Sequence, residues 1–81
     1  MYYFIGIKGT GMASLAVMLH ELGYEVCGSD QSKHFFTEDE LVRRGIRILP
    51  FDPNNIKPEY TVIIGNAFLE DFPEVIEARK L

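Results

Sequence analysis

The chain has 81 residues, enough for one small domain with a modest core. Its 47% apolar and 25% charged residues are globular proportions and exclude a disordered tail. A net charge of −4 excludes the basic face of a nucleic-acid binder, and an anionic ligand would have to be drawn by local features against the overall field.

The first element predicted is a strand over Tyr2–Ile7, a continuous aromatic and β-branched run of the kind buried on both faces of a parallel sheet. It runs into Gly6-Ile7-Lys8-Gly9-Thr10-Gly11, with three glycines in six positions, and a helix is predicted from about Met12 to Leu22. A strand feeding a helix through such a turn leaves the first helical N–H groups unpaired, and the helix dipole adds partial positive charge there. The spacing Gly6-x-Lys8-x-x-Gly11 is the dinucleotide fingerprint G-x-G-x-x-G with a lysine at its middle position. In that fingerprint the first glycine makes the turn and the third lets helix and strand pack closely. The frame shifted by three, Gly9-x-Gly11-x-x-Ser14, nearly fits as well.

Leu15, Leu19 and Leu22 are expected as the apolar stripe of this helix, with Ala13 and Ala16 allowing close approach to the sheet and Gly23 ending it. Tyr24–Gly28 is a second strand, with Ser29-Asp30 at its carboxyl end. Thr37 and Glu40 have the spacing of a capping box that opens a helix through Arg44, stopped by Gly45. Ile46–Leu49 is a third strand, and Phe51–Tyr60 a turn-rich crossover with one helical turn after Asp52. Thr61–Ile64 is the fourth strand, Gly65-Asn66-Ala67 a loop, and Pro73–Leu81 a last helix that stops without a cap, as in a piece of a longer protein.

This alternation predicts an α/β fold, a Rossmann-like parallel sheet of about four strands in the order 3-2-1-4 with right-handed crossovers. Ligands on such sheets bind outside the carboxyl ends of the strands, where the order reverses. The loops carrying the glycine turn, Ser29-Asp30 and Gly65-Asn66-Ala67 all belong to that edge.

The candidate site residues follow from this placement. Backbone N–H groups around Gly9, Thr10, Gly11 and Met12 would cradle phosphate, with the Thr10 hydroxyl as an extra donor. Lys8 either adds a cation there or stands as a solvated surface lysine. Asp30, nineteen positions after Gly11, is placed either to accept from ribose hydroxyls or to serve as a cap or turn residue. Asn66 offers a donor and an acceptor, or simply forms its turn. His34, beside Phe35 and Phe36, either borders a nucleobase or is plain surface. His20 has no partner at metal spacing. Cys27 reads as a small buried hydrophobe, and as the only cysteine it precludes an intrachain disulfide and fits a reducing cytoplasm. The acids from Glu70 to Glu77 flank and open the last helix, where its dipole favours them. No apolar run reaches the length of a membrane span, and the start has no basic signal-peptide segment, so a cytoplasmic location is expected.

The runs FIGIKGTGM, LGYEVCGSD and NAFLEDFPEV, in this order and spacing, resemble the N-terminal domain of the Mur ligases of peptidoglycan synthesis, most nearly the branch that adds L-alanine. The resemblance covers essentially the whole chain. It departs at Lys8, where many members have glycine, and at Gly65-Asn66, where many have two serines. It implies an enzyme built as an ATP-dependent ligase of three domains, of which residues 1–81 form the first. That domain would hold the UDP part of UDP-N-acetylmuramic acid through Lys8, Gly9, Thr10, Gly11, Met12, Ser29, Asp30 and Asn66, with Asp30 reading the uridine ribose or the uracil N–H. ATP and magnesium would bind mainly in the remaining domains. No G-x-x-x-x-G-K-[ST] motif occurs here, so the fragment alone is expected neither to bind ATP in the family's manner nor to catalyse ligation. The alternatives are an NAD(P)-binding domain of an oxidoreductase or nucleotide-sensing regulator, and an interaction domain without a ligand. A side chain at position 8 would crowd the dinucleotide pyrophosphate that a glycine admits.

Overall fold

The computed structural model describes residues 1–81. Its elements follow in the order β1 (Tyr2–Ile5), α1 (Thr10–Glu21), β2 (Val26–Ser29), α2 (Glu38–Arg43), β3 (Arg47–Leu49), a 3-10 turn at Pro53–Asn55, β4 (Thr61–Ile64) and α3 (Pro73–Lys80). The four strands form one parallel sheet in the order β3-β2-β1-β4, as expected from the alternation. No helix is long and apolar enough to cross a membrane.

Successive residues of a strand point to opposite faces, and β1 uses both. Phe4, with Ile7 just beyond the strand, packs on Ala13, Ala16, Val26, Leu41 and Ile46 under α1 and α2. Tyr3 and Ile5 pack on Cys27, Ile56 and Val75 on the other face, under α3 and the crossover. A short sheet covered on both sides explains why the central strands read as unbroken apolar runs.

Several boundaries and contacts differ from expectation. β1 ends at Ile5 because Gly6 turns the chain with φ +86°, and the N–H groups of Gly6 and Ile7 both donate to Ser29 O, at 2.9 and 3.0 Å. β2 starts at Val26 because Gly23 (φ +93°) closes α1: its N–H donates to His20 O, and Tyr24 N–H donates to Leu19 O.

The expected leucine stripe on α1 is only partly right. Ala13 and Ala16 are buried, flanked by Met12, Val17 and Leu19, whereas Leu15 and Leu22 are exposed. Two positions on from Ala13, Leu15 is turned about 200° around the helix.

The capping box does not form. Thr37 has helical dihedrals and its hydroxyl donates instead to Lys8 O at 2.6 Å, while the Glu40 carboxylate pairs with Arg43 and Arg44. Asp52, by contrast, caps the 3-10 turn through Asn54 N–H at 2.9 Å.

Nor is Gly11 the point of close packing. A Cβ there would meet open space. The close approach falls at Gly28, where a Cβ would lie 2.5 Å from Phe4 O and 2.8 Å from Ile7 Cβ. The fingerprint's third glycine is therefore free of its usual packing duty, and the tight contact at Gly28 is instead one between β2, β1 and Ile7.

Candidate functional site

The glycine turn brings the N-terminus of α1 to the carboxyl edge of the sheet. Gly9 is the extended N-cap, and the first helical bond runs from Ala13 N–H to Gly9 O at 2.7 Å. The N–H groups of Thr10, Gly11 and Met12 precede that bond and belong to the unpaired first turn of the helix. A crevice of about 380 Å³ opens beside them. The glycine turn and the start of α1 contribute Gly6, Lys8, Gly9, Thr10 and Met12 to its lining; Asp30, Gln31, Phe35 and Phe36 come from the segment after β2, and Gly65, Asn66, Ala67 and Phe68 from the loop after β4. The three loops predicted to share an edge do share one cavity.

Electrostatics inside the crevice are set by Lys8 and Asp30. Asp30, 9% exposed, accepts Lys8 N–H at Oδ2 and Gln31 N–H at Oδ1, each at 2.8 Å. Its carboxylate thus closes the glycine turn onto the end of β2, and each oxygen retains acceptor capacity. The Lys8 side chain, 5% exposed, is not a solvated surface group: its ammonium lies 2.8 Å from Glu38 Oε1 and also donates to Gln31 O and Lys33 O. The hydrogen bond from Lys8 holds the Glu38 carboxyl below the usual carboxylate range.

The family profile "Mur ligase family, catalytic domain" matches residues 1–81, the whole chain. The chain belongs to the Mur ligase family. Among the proteins similar to this Mur ligase chain is the UDP-N-acetylmuramate–L-alanine ligase of Lacticaseibacillus casei, 56% identical over 99% of this chain and 18% of that protein. The same enzyme of Limosilactobacillus reuteri is 59% identical, with the same coverage. The crystal structure of the UDP-N-acetylmuramate–alanine ligase of Thermotoga maritima matches with a TM-score of 0.84 and 30% identity, over 98% of this chain and 18% of that one. The chain thus spans about a fifth of the length of the ligases it matches.

Not every predicted site residue of this Mur ligase chain reaches the crevice. Ser29 is fully buried on the opposite face, where its hydroxyl donates to Glu74 Oε1 at 2.6 Å; it serves the turn through its carbonyl instead. Gly11 lies in the first turn of α1 without lining the cavity. His34 is exposed, 3.0 Å from Asp39, and lies outside the crevice lining. No group of three or more His, Cys, Asp or Glu side chains converges in the structure. Cys27 is buried, and burial raises its thiol pKa.

Two features escaped sequence reading. Phe35 and Phe36 from one loop and Phe68 from another give the crevice aromatic walls; the sign of the first two was an apolar pair inside an otherwise polar loop. The other is Glu74, wholly buried, whose carboxylate accepts from Tyr3 OH (3.0 Å), Ser29 OH (2.6 Å) and Asp52 N–H (2.8 Å). In sequence it looked like one more acid at a helix N-terminus.

Proposed function

We propose that the crevice holds the UDP moiety of UDP-N-acetylmuramic acid, and that residues 1–81 act as the N-terminal, substrate-holding domain of an ATP-dependent UDP-N-acetylmuramate–L-alanine ligase of peptidoglycan synthesis. The observation that carries the reading is the shared crevice: unpaired helix N–H groups, Asp30, Asn66 and an aromatic wall border one cavity of about 380 Å³, within the usual range for a small-molecule site. The names of the similar ligases support it.

In this reading the N–H groups of Thr10, Gly11 and Met12, with the Thr10 hydroxyl, receive the diphosphate, because they carry partial positive charge at a fixed position. The Gly9 N–H already donates to Gly6 O at 3.1 Å, so Gly9 serves as lining of the crevice rather than as a donor. Asp30 faces the uridine ribose or uracil N–H, while Ser29, buried beneath it, holds the glycine turn through its carbonyl and does not touch the ligand. Asn66 borders the same ligand from the far loop, and Lys8 forms part of the floor. ATP, magnesium and the ligation chemistry belong to the remaining domains of the longer protein, placed by this assignment in the cytoplasm.

Titration calorimetry with UDP, UDP-N-acetylmuramic acid and NADH tests the assignment. Both uridine nucleotides bind and NADH binds more weakly, because Lys8 stands where a dinucleotide pyrophosphate needs bare backbone. Tighter binding of NADH would transfer the crevice to a dinucleotide.

A further inference from the structure

Lys8 sits at the middle position of the fingerprint, beside the phosphate-binding turn, yet its ammonium is already occupied. Nζ lies 2.8 Å from Glu38 Oε1, 2.9 Å from Gln31 O and 2.8 Å from Lys33 O. Two of the ammonium's three protons have carbonyl acceptors, and its charge is paired with the Glu38 carboxylate. The main chain of the same residue is tied to the same segment: Lys8 N–H donates to Asp30 Oδ2 and Lys8 O accepts from Thr37 Oγ1. Across residues 31–37 the other hydrogen bonds are local, from Gln31 N–H to Asp30, between His34 and Asp39, and from Glu38 N–H to Phe35 O. Every hydrogen bond that ties this segment to a distant part of the chain goes to Lys8.

The segment carries part of the crevice wall. Phe35 and Phe36 both line the cavity; the Lys8 ammonium lies 5.8 Å from the Phe35 ring centroid, within cation–π reach, and Phe36 is 78% exposed at the rim. Detaching the segment would take this wall with it and leave the glycine turn in place.

We propose that Lys8 is a positioning residue that straps the segment from Gln31 to Thr37 against the glycine turn and so sets the Phe35–Phe36 wall of the crevice, rather than a ligand to a bound phosphate. Glu38 is then part of the strap although it lies outside the crevice. The consequence runs against simple electrostatics: removing the negative charge of Glu38 should weaken the binding of an anionic nucleotide.

Two measurements on the Lys8→Met and Glu38→Gln variants test this. The first is tryptic cleavage of the ligand-free protein at Lys33–His34, the peptide bond whose carbonyl Lys8 holds, relative to cleavage after Arg79. Loss of the strap raises that ratio about tenfold or more in both variants, since cleavage follows local opening; an unchanged ratio overturns the proposal. The second is UDP affinity. Glu38→Gln weakens it about fivefold or more, because the wall is no longer preorganised; unchanged or tighter binding overturns the proposal and makes the released ammonium a phosphate ligand. Only this second arm rests on the nucleotide reading of the crevice. Failure of the unaltered protein to bind UDP would sink that reading, and the cleavage ratio would still judge the strap.

Discussion

The phenol of Tyr3 and the carboxylate of Glu74, 71 positions apart in the chain, meet at 3.0 Å in the interior beneath the sheet. The same carboxylate takes the Ser29 hydroxyl and the Asp52 N–H, so β1, β2, the crossover and α3 are joined at one buried anion. Ser29 in turn presents its carbonyl to Gly6 and Ile7, which links this node to the glycine turn on the functional edge.

Glu74→Ala leaves the buried hydroxyls of Tyr3 and Ser29, and the partly buried Asp52 N–H, without their acceptor. An unsatisfied buried polar group costs about 1–3 kcal/mol, so the substitution should lower unfolding free energy by roughly 2–4 kcal/mol. Urea denaturation measures it. A loss under about 1 kcal/mol would mean that the network contributes little beyond what water would supply.

Gly28→Ala and Gly11→Ala should separate sharply. At Gly28 the new methyl meets the Phe4 carbonyl and Ile7, an overpacking that costs about 1–3 kcal/mol. At Gly11 it meets nothing, and alanine is the better helix former by up to about 1 kcal/mol. Thermal melts of the two variants should move in opposite directions or, at the least, only Gly28→Ala should fall.

Asp30→Ala is expected to act on binding and on stability together. The carboxylate holds Lys8 N–H and Gln31 N–H, and hydrogen bonds to a charged group contribute about 1.5–3 kcal/mol. UDP affinity should drop about tenfold or more. If Asp30 reads the nucleoside, inorganic pyrophosphate should lose clearly less than UDP in the same calorimetric series. Equal losses would limit Asp30 to shaping the turn.

Stability should fade at both ends of the pH scale. Lys8 lowers the pKa of the Glu38 carboxyl in the folded state, so that contribution is present above the ordinary glutamate value of about 4.3 and is lost as pH falls through the lowered folded value. Burial raises Tyr3, with the charge of Glu74 adding to the shift, and burial likewise raises Cys27. Their contributions are full below the ordinary values of about 10 and 8.5 and are lost as pH rises beyond them. Urea midpoints between about pH 3 and pH 11 trace both limbs, and Lys8→Met should flatten the acid one.

The elements, the strand order and the shared edge were open to the sequence, because each rests on short-range chemistry. Apolar runs mark strands buried on both faces, Gly23 and Gly45 adopt the positive φ that ends a helix, and alternation of strand and helix leaves few ways to build a parallel sheet. The glycine turn, Asp30 and Asn66 were legible as crevice residues for the same reason: a loop's place in the order determines which edge of the sheet it reaches. What only the tertiary structure decided is how side chains far apart in sequence spend their hydrogen bonds. Thr37 has the spacing of a helix cap but bonds to Lys8 across 29 positions; Lys8 looks like a surface cation but is enclosed by a loop; Glu74 looks like a helix-end acid but lies under the sheet. Local spacing states what a polar group can do alone, and burial against a distant partner settles what it does, because a buried donor or acceptor must find its partner wherever the fold places one.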